Sequence, residues 1–277
     1  MERRALFVLI VAAVALSAAL AWLTLSHAHF WRPHRGAARV QSEERDIGDF
    51  HKLDLDGAAD VELVQGATAS VRVDTTADAP IALHVHNGTL SIDTHDARHG
   101  WRWLFNRAPR EAPRIVVTFR DLTDIDASGT VKVRAAALRT PSLHVDVSGA
   151  GTLDLANVDT ETLYVEGTGT IKANIAGHAR QQRIVISGAG NYRAPDLASE
   201  SARVDVSGAG NVLVNVTQTL RVDISGAGSV SYIGNPTVQK SIGGMGRVRQ
   251  VPGKREVHVD APQPAVPFDR GHPMLAA

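Results

Sequence analysis

The chain has 277 residues, with 29 Lys plus Arg against 29 Asp plus Glu and no cysteine. Zero net charge argues against a nucleic-acid binder, which needs a basic footprint. The missing cysteines exclude a disulfide framework, a thiol nucleophile, a zinc ribbon and a lipid-modified cysteine.

With 44% apolar but only 5% aromatic residues, and 24 glycines, the core must be built from small and β-branched side chains. The N-terminus opens with Arg3 and Arg4, followed by an uncharged apolar run over residues 5–25. About 20 residues span a bilayer, whereas a cleavable signal carries an apolar region of roughly 7–15. The run therefore predicts an uncleaved signal anchor more than a signal peptide cut after Ser26-His27-Ala28. Arg3 and Arg4 favour a cytoplasmic N-terminus, and Arg32, Arg35 and Arg39 weaken that vote without reversing it. Residues 1–28 are read as anchor or signal, 29–44 as linker, and everything beyond as exported. The expected location is the inner membrane facing the periplasm, or the periplasm or cell surface if the segment is cleaved.

Residues 45–120 alternate with period 2 as strands do, in Leu53/Leu55, Val61/Leu63, Val71/Val73, Leu83/Val85, Leu90/Ile92 and Ile115/Val117/Phe119. Asp56-Gly57 reads as a degenerate corner, and Asn87-Gly88 as a hairpin turn. This region is expected to form the first turns and to cap one end of the segment beyond residue 120. Residues 94–113 interrupt the rhythm as an inserted loop carrying Trp101, Arg102, Trp103 and Phe105.

The rest of the chain repeats. Val145-Asp146-Val147-Ser148-Gly149-Ala150-Gly151 recurs nearly unchanged from Val204 and Val222, and more loosely from Ile184. Weaker copies begin near Ile125, Leu163 and Ser241, placing the corners at 128, 148, 166, 187, 207, 225 and 243. Each copy reads as strand, glycine corner, strand. Units of 18–21 residues cannot bury an apolar face alone and must stack on their neighbours. The predicted fold is all-β: a parallel β-helix over 45–251, right-handed because the step is too irregular for a strict hexapeptide coil. Residues 252–277, with five prolines, are expected to be a flexible tail.

The segment from about 45 to 250 resembles the head GIN domain family of putative auto-transporter adhesins, a group of exported bacterial domains. The resemblance rests on Phe50-His51-Lys52-Leu53-Asp54-Leu55-Asp56-Gly57, Val61–Gly66, Asn87–Ile92, the serial Ser-Gly-Ala-Gly corners and Tyr232-Ile233-Gly234-Asn235-Pro236. It implies a β-helix-like exported domain and carries over no catalytic residue.

Asp126, Asp146, Asp205 and Asp223 stand two residues before their corners, with Tyr164 and Val185 interrupting the column. Asp205 and Asp223 on successive turns would sit ~4.8 Å apart, near the spacing of a retaining glycosidase pair. Arg203 and Arg221 lie beside them, and a solvated ladder is the simpler account. His84 and His86 share a strand face, with His95 and His99 further on, but no carboxylate or Cys completes a metal set. The serines of the corners have no base at a repeating offset, which a nucleophile needs. The Trp101–Phe105 cluster suits either a binding hot spot or a plug over the first turn.

No catalytic residue, cofactor or metal is expected. Binding candidates are Trp101, Arg102, Trp103, Phe105, Asp146, Asp205 and Asp223. The favoured reading is a non-enzymatic binding or structural module of the bacterial envelope. Its expected partner is an envelope glycan or protein, with the membrane engaged through residues 5–25 and no nucleic acid. The alternatives are a polysaccharide-acting enzyme using Asp205 and Asp223, and an envelope sensor signalling through a membrane partner.

Overall fold

The computed structural model describes residues 41–75, 81–94 and 112–253. The apolar run 5–25, the Trp101–Phe105 cluster, His95, His99 and all but the first two residues of the tail lie outside them. No helix among the described residues is long and apolar enough to cross a membrane.

The described residues are all β. The N-terminal strands are β1 (Gln41–Asp46), β2 (Lys52–Gln65), β3 (Ser70–Thr75), β4 (Ala82–His86), β5 (Thr89–Asp93) and β6 (Arg114–Phe119). The repeat supplies β7 (Asp124–Ala135), β8 (Leu138–Arg139), β9 (Ser142–Val147), β10 (Ala150–Gly167) and β11 (Thr170–Ile186). It continues through β12 (Ala189–Val206), β13 (Ala209–Ile224), β14 (Ala227–Ile233), β15 (Thr237–Ile242) and β16 (Met245–Gln250). From β7 onward every pairing is parallel. This is the β-solenoid that the repeat predicts.

Each regular turn has three sides. A first side runs into the corner (Leu143–Val147), a second leaves it (Ala150–Leu155), and a short third follows (Val158–Thr160), each pairing with its counterpart in the next turn. Inward positions such as Val145, Leu153, Val158 and Ile184 are almost fully buried. Apolar side chains alternate with outward polar ones, as the pleat demands.

Stack order departs from chain order at the N-terminal end. β2 pairs with β7 from Lys52 to Leu63, with Asp56-Gly57 in register with Ser128-Gly129. On its other edge β2 pairs in parallel with β5 and β6. The earliest turn in sequence is thus sandwiched between two later ones. β5 ends opposite Asp56 and β6 begins opposite Asp60, on either side of the Gly57 corner. β3 and β4 then run antiparallel on β6 and β5 and close that end. The hairpin between β4 and β5 turns at Asn87 (φ 49°) and Gly88 (φ 73°), the doubly positive geometry that Asn-Gly adopts most readily. At the other end, Lys240 takes the register position above buried Val222 and is exposed. A charge there protects a strand edge from further pairing.

The corners are fixed by a backbone approach. A Cβ added to Gly129, Gly149, Gly169, Gly188, Gly208, Gly226 or Gly244 would lie 1.9–2.1 Å from the carbonyl oxygen of the corner glycine one turn below. That oxygen is also a hydrogen-bond acceptor: Thr170 N–H donates to Gly149 (2.8 Å) and Ala189 N–H to Gly169 (2.9 Å). Positive φ adds to the demand at Gly57 (102°) and Gly129 (93°). For the later corners the close approach is the constraint.

Beside each corner two inward positions share one space. Turn by turn they hold Leu55/Ala59, Ala127/Val131, Val147/Gly151, Gly167/Ile171, Ile186/Gly190, Val206/Gly210 and Ile224/Gly228. One partner is always large and the other small. A Cβ on Gly151 would fall 2.4 Å from Val147, and one on Gly167 would fall 2.8 Å from Ile171. This exchange corrects the sequence reading of one turn. Gly167 is an inward residue in register with Val147, and the corner is Thr168-Gly169, not Glu166-Gly167. Glu166 therefore stands in the Asp146 column, and Tyr164 in that of His144.

One polar brace crosses the core. Tyr192 donates to Gln182 Oε1 (3.0 Å), Gln182 Nε2 to Ser199 (2.7 Å), and Ser199 to the carbonyl of Asn215 (2.6 Å). Every buried side-chain polar atom among the described residues is partnered, so the brace carries little desolvation penalty. Burial holds the Tyr192 phenol well above its usual range.

The corner and the shared space each carry a stability prediction. Gly169→Ala should destabilise the chain by about 3 kcal/mol or more in urea unfolding, since backbone must move. Gly243→Ala, with no atom within 4 Å of the new Cβ, should stay within about 0.5 kcal/mol. Gly167→Val should cost about 1–3 kcal/mol through overpacking, and Ile171→Gly about 2–5 kcal/mol through a cavity. The double variant should recover about 1 kcal/mol or more of their sum, and strict additivity would refute the shared space.

Candidate functional site

Parallel register turns each outward position into a column running along the stack. On the first side, one column reads Asp54, Asp126, Asp146, Glu166, Val185, Asp205, Asp223. Its neighbour reads Lys52, Asp124, His144, Tyr164, Arg183, Arg203, Arg221. The lower half of this side is therefore acidic, and the upper half pairs arginines with aspartates.

The acidic half is tied together by contacts within and between turns. Tyr164 donates to Glu166 Oε2 (2.5 Å), His144 meets the Tyr164 ring edge-on at 4.5 Å, and the Arg183 guanidinium lies 5.6 Å above that ring. The bond to Glu166, with burial, raises the Tyr164 phenol above its usual range. Partial burial raises the Asp146 carboxyl, and the charges of Glu166 and Asp126 raise it further against a small opposing effect of His144. No group of three or more His, Asp or Glu among the described residues has the geometry to hold a metal ion.

Asp205 and Asp223 are register partners, as their spacing predicts. Arg203 Nε donates to Asp205 Oδ2 at 2.9 Å, and Arg183 Nη2 approaches the same oxygen at 3.8 Å. The bond to Asp205 raises the Arg203 guanidinium further. A carboxylate held this way is a poor general acid and a hindered nucleophile. His84 and His86 stand exposed on β4, opposite Ser91 and Thr89 of β5. Their neighbours across the ladder thus supply hydroxyls and no carboxylate.

The second side differs in composition. Low in the stack its charges are paired: Arg114 with Glu62 (2.6 Å) and Arg134 with Asp60 (2.6 Å). Higher up, one column reads Lys172, Asn191, Asn211, Ser229, Arg247. The next reads Asn174, Arg193, Leu213, Ser231, Arg249. Above Asp154, which is in register with Asn174, these two columns hold four cations and no carboxylate. A concavity of about 300 Å³ opens on them, lined by Asn191, Arg193, Asn211, Leu213, Ser229 and Arg249 among others. A second, of about 310 Å³, lies at the next corner against Asp154, Asn174, Arg193 and Pro195. Sequence reasoning passes over this surface because its cations lie far apart in the chain and gather only through the register.

Asp146 carries a pH prediction. Its folded pKa lies above the unfolded one, so the folded chain binds the extra proton between the two. Stability falls as pH rises through that window, and the loss is complete above the folded pKa. Asp146→Asn should therefore stabilise the chain at pH 7 by about 0.5 kcal/mol after solvent screening. The gain should vanish below the usual carboxylate range, in urea titrations at pH 7 and pH 3.

Comparison with known proteins agrees with the architecture. Residues 49–236 match the family model described as "Putative auto-transporter adhesin, head GIN domain". No curated protein matches the chain. A solved "putative adhesin" from Bacteroides fragilis is similar at a TM-score of 0.70 and 21% identity, over 77% of this chain and 97% of that one. A "putative lipid binding protein" from Parabacteroides distasonis is similar at 0.57 and 22%, over 76% and 96%. A "putative adhesin" from the same species is similar at 0.55 and 19%, over 77% and 97%. At these identities the structures speak for the fold alone. The family model spans well over half the sequence, and the chain belongs to the head GIN domain family.

Proposed function

We propose that this chain is a non-enzymatic binding module of the bacterial cell envelope, exported and held at the membrane by residues 5–25. The observation that carries the reading is the second-side concavity. Its amides and cations are aimed at solvent, while Asp205 of the Asp205–Asp223 register pair is engaged by arginine. Preorganised donors on a rigid parallel scaffold lose little entropy on binding, which favours recognition. The apolar run 5–25 and the adhesin descriptions of the family and of similar structures support export. The lipid-binding description of one similar structure finds less support, since the core positions of the regular turns are filled by packed side chains.

The test uses the full chain in detergent. Incubated with purified cell-wall and capsular glycans, it should release no new reducing ends, yet be retained on envelope material in a pull-down. Glycan turnover that Asp205→Asn and Asp223→Asn abolish would replace this reading with the enzymatic one.

A further inference from the structure

We propose that the upper second side binds an anionic glycan laid along the solenoid axis, one column position per rung. This inference rests on the binding-module reading and names its surface and ligand class. Lys172, Arg193, Arg247 and Arg249 project from β11, β12 and β16. Among the described residues, the side chains of Lys172, Arg193 and Arg247 make no hydrogen bond or ion pair, and neither do the amides of Asn191 and Asn211. Among the described residues the Arg249 side chain hydrogen-bonds only to Ser231, at 3.2 Å. These cations are therefore not spent on the fold, unlike Arg114 and Arg134 lower on the same side.

Their arrangement selects the chemistry. Arg193 and Arg249 stand three register steps apart in one column, and Lys172 and Arg247 four steps apart in the other. At ~4.8 Å per step these separations are roughly 14 and 19 Å. Between them lie Asn191, Asn211, Ser229 and Ser231, with Leu213 as an apolar floor. Amides and hydroxyls both donate and accept, as sugar hydroxyls do. Guanidiniums take carboxylate, sulfate or phosphate. The surface thus matches a polymer of hydroxyl-rich units with anionic groups at intervals.

Other polyanions fit less well. Single-stranded nucleic acid is held by exposed aromatic rings, and neither column carries one, since Tyr192 is buried. A membrane surface calls for several projecting apolar side chains, whereas Leu213 is the one apolar residue of these two columns and is half-buried. An extended peptide would pair with a strand edge, whereas these side chains project from the sheet face, on β16 as on the strands below it.

Binding of the full chain to hyaluronan oligosaccharides, polygalacturonate, neutral dextran and a single-stranded DNA oligomer tests the proposal, by calorimetry at two salt concentrations. Hyaluronan and polygalacturonate should bind and dextran should not. Arg193→Gln with Arg249→Gln should weaken binding by about tenfold or more and flatten its salt dependence. Asn191→Ala with Asn211→Ala should weaken it with the salt dependence unchanged. Arg221→Gln, on the first side, should leave it as it was. Absence of glycan binding, equal binding of dextran, equal binding of DNA, or affinity indifferent to the second-side substitutions would overturn the proposal. The binding-module reading survives such a result if retention on envelope material persists, and fails separately if that retention is absent.

Discussion

The carbonyl oxygen of each corner glycine points at the α-carbon of the glycine one turn above, and no side chain fits between them. From Gly57 to Gly244 this approach repeats through every corner. It sets the rise between turns at strand spacing in the one place where a coil would otherwise splay. The same oxygen accepts the next turn's N–H, so the backbone ladder runs through the corner without a break. Corners that cannot shift keep each outward position above its equivalent. The side chains of distant segments thereby become columns.

Columns give the zero net charge its meaning. Acidic positions accumulate on the lower first side, from Asp54 to Glu166, and unpaired cations on the upper second side, from Lys172 to Arg249. The two cancel in the total while remaining on separate surfaces. Burial raises the carboxyl of Asp146, and like charges one rung apart, which oppose the stacking, raise it further. The carboxylates are partly relieved by His144, Tyr164 and Arg183, whereas within each second-side column neutral positions separate the cations. That spacing lets them persist without partners.

Much of the fold is legible in the sequence because its forces are local and periodic. The strand alternation, the Asn87-Gly88 hairpin and the corner glycines of every turn but one appear in their expected roles. One turn misleads because glycine has two uses here. Gly169 serves the backbone approach and Gly167 the space beside Ile171, so residues 166–167 imitate a corner two positions early. The placement of β2 between β7 and the β5–β6 turn leaves no local trace, since it depends on pairing across some seventy residues. The Tyr192–Gln182 brace shows only as polar residues at inward positions. Of the candidate site, the Asp205–Asp223 adjacency is readable from the repeat, while the cationic columns need the register. Trp101, Arg102, Trp103 and Phe105 lie outside the described residues.

Amide hydrogen exchange on the full chain tests the central claim most directly. If the corners carry the register, the N–H groups of Thr170, Ala189, Ala209 and Ala227, which cross them at 2.8–3.0 Å, should be as protected as mid-strand amides such as Val165 and Ile184. Corner amides exchanging at open-loop rates while the strands stay protected would contradict it. The stack would then be held by its sides alone.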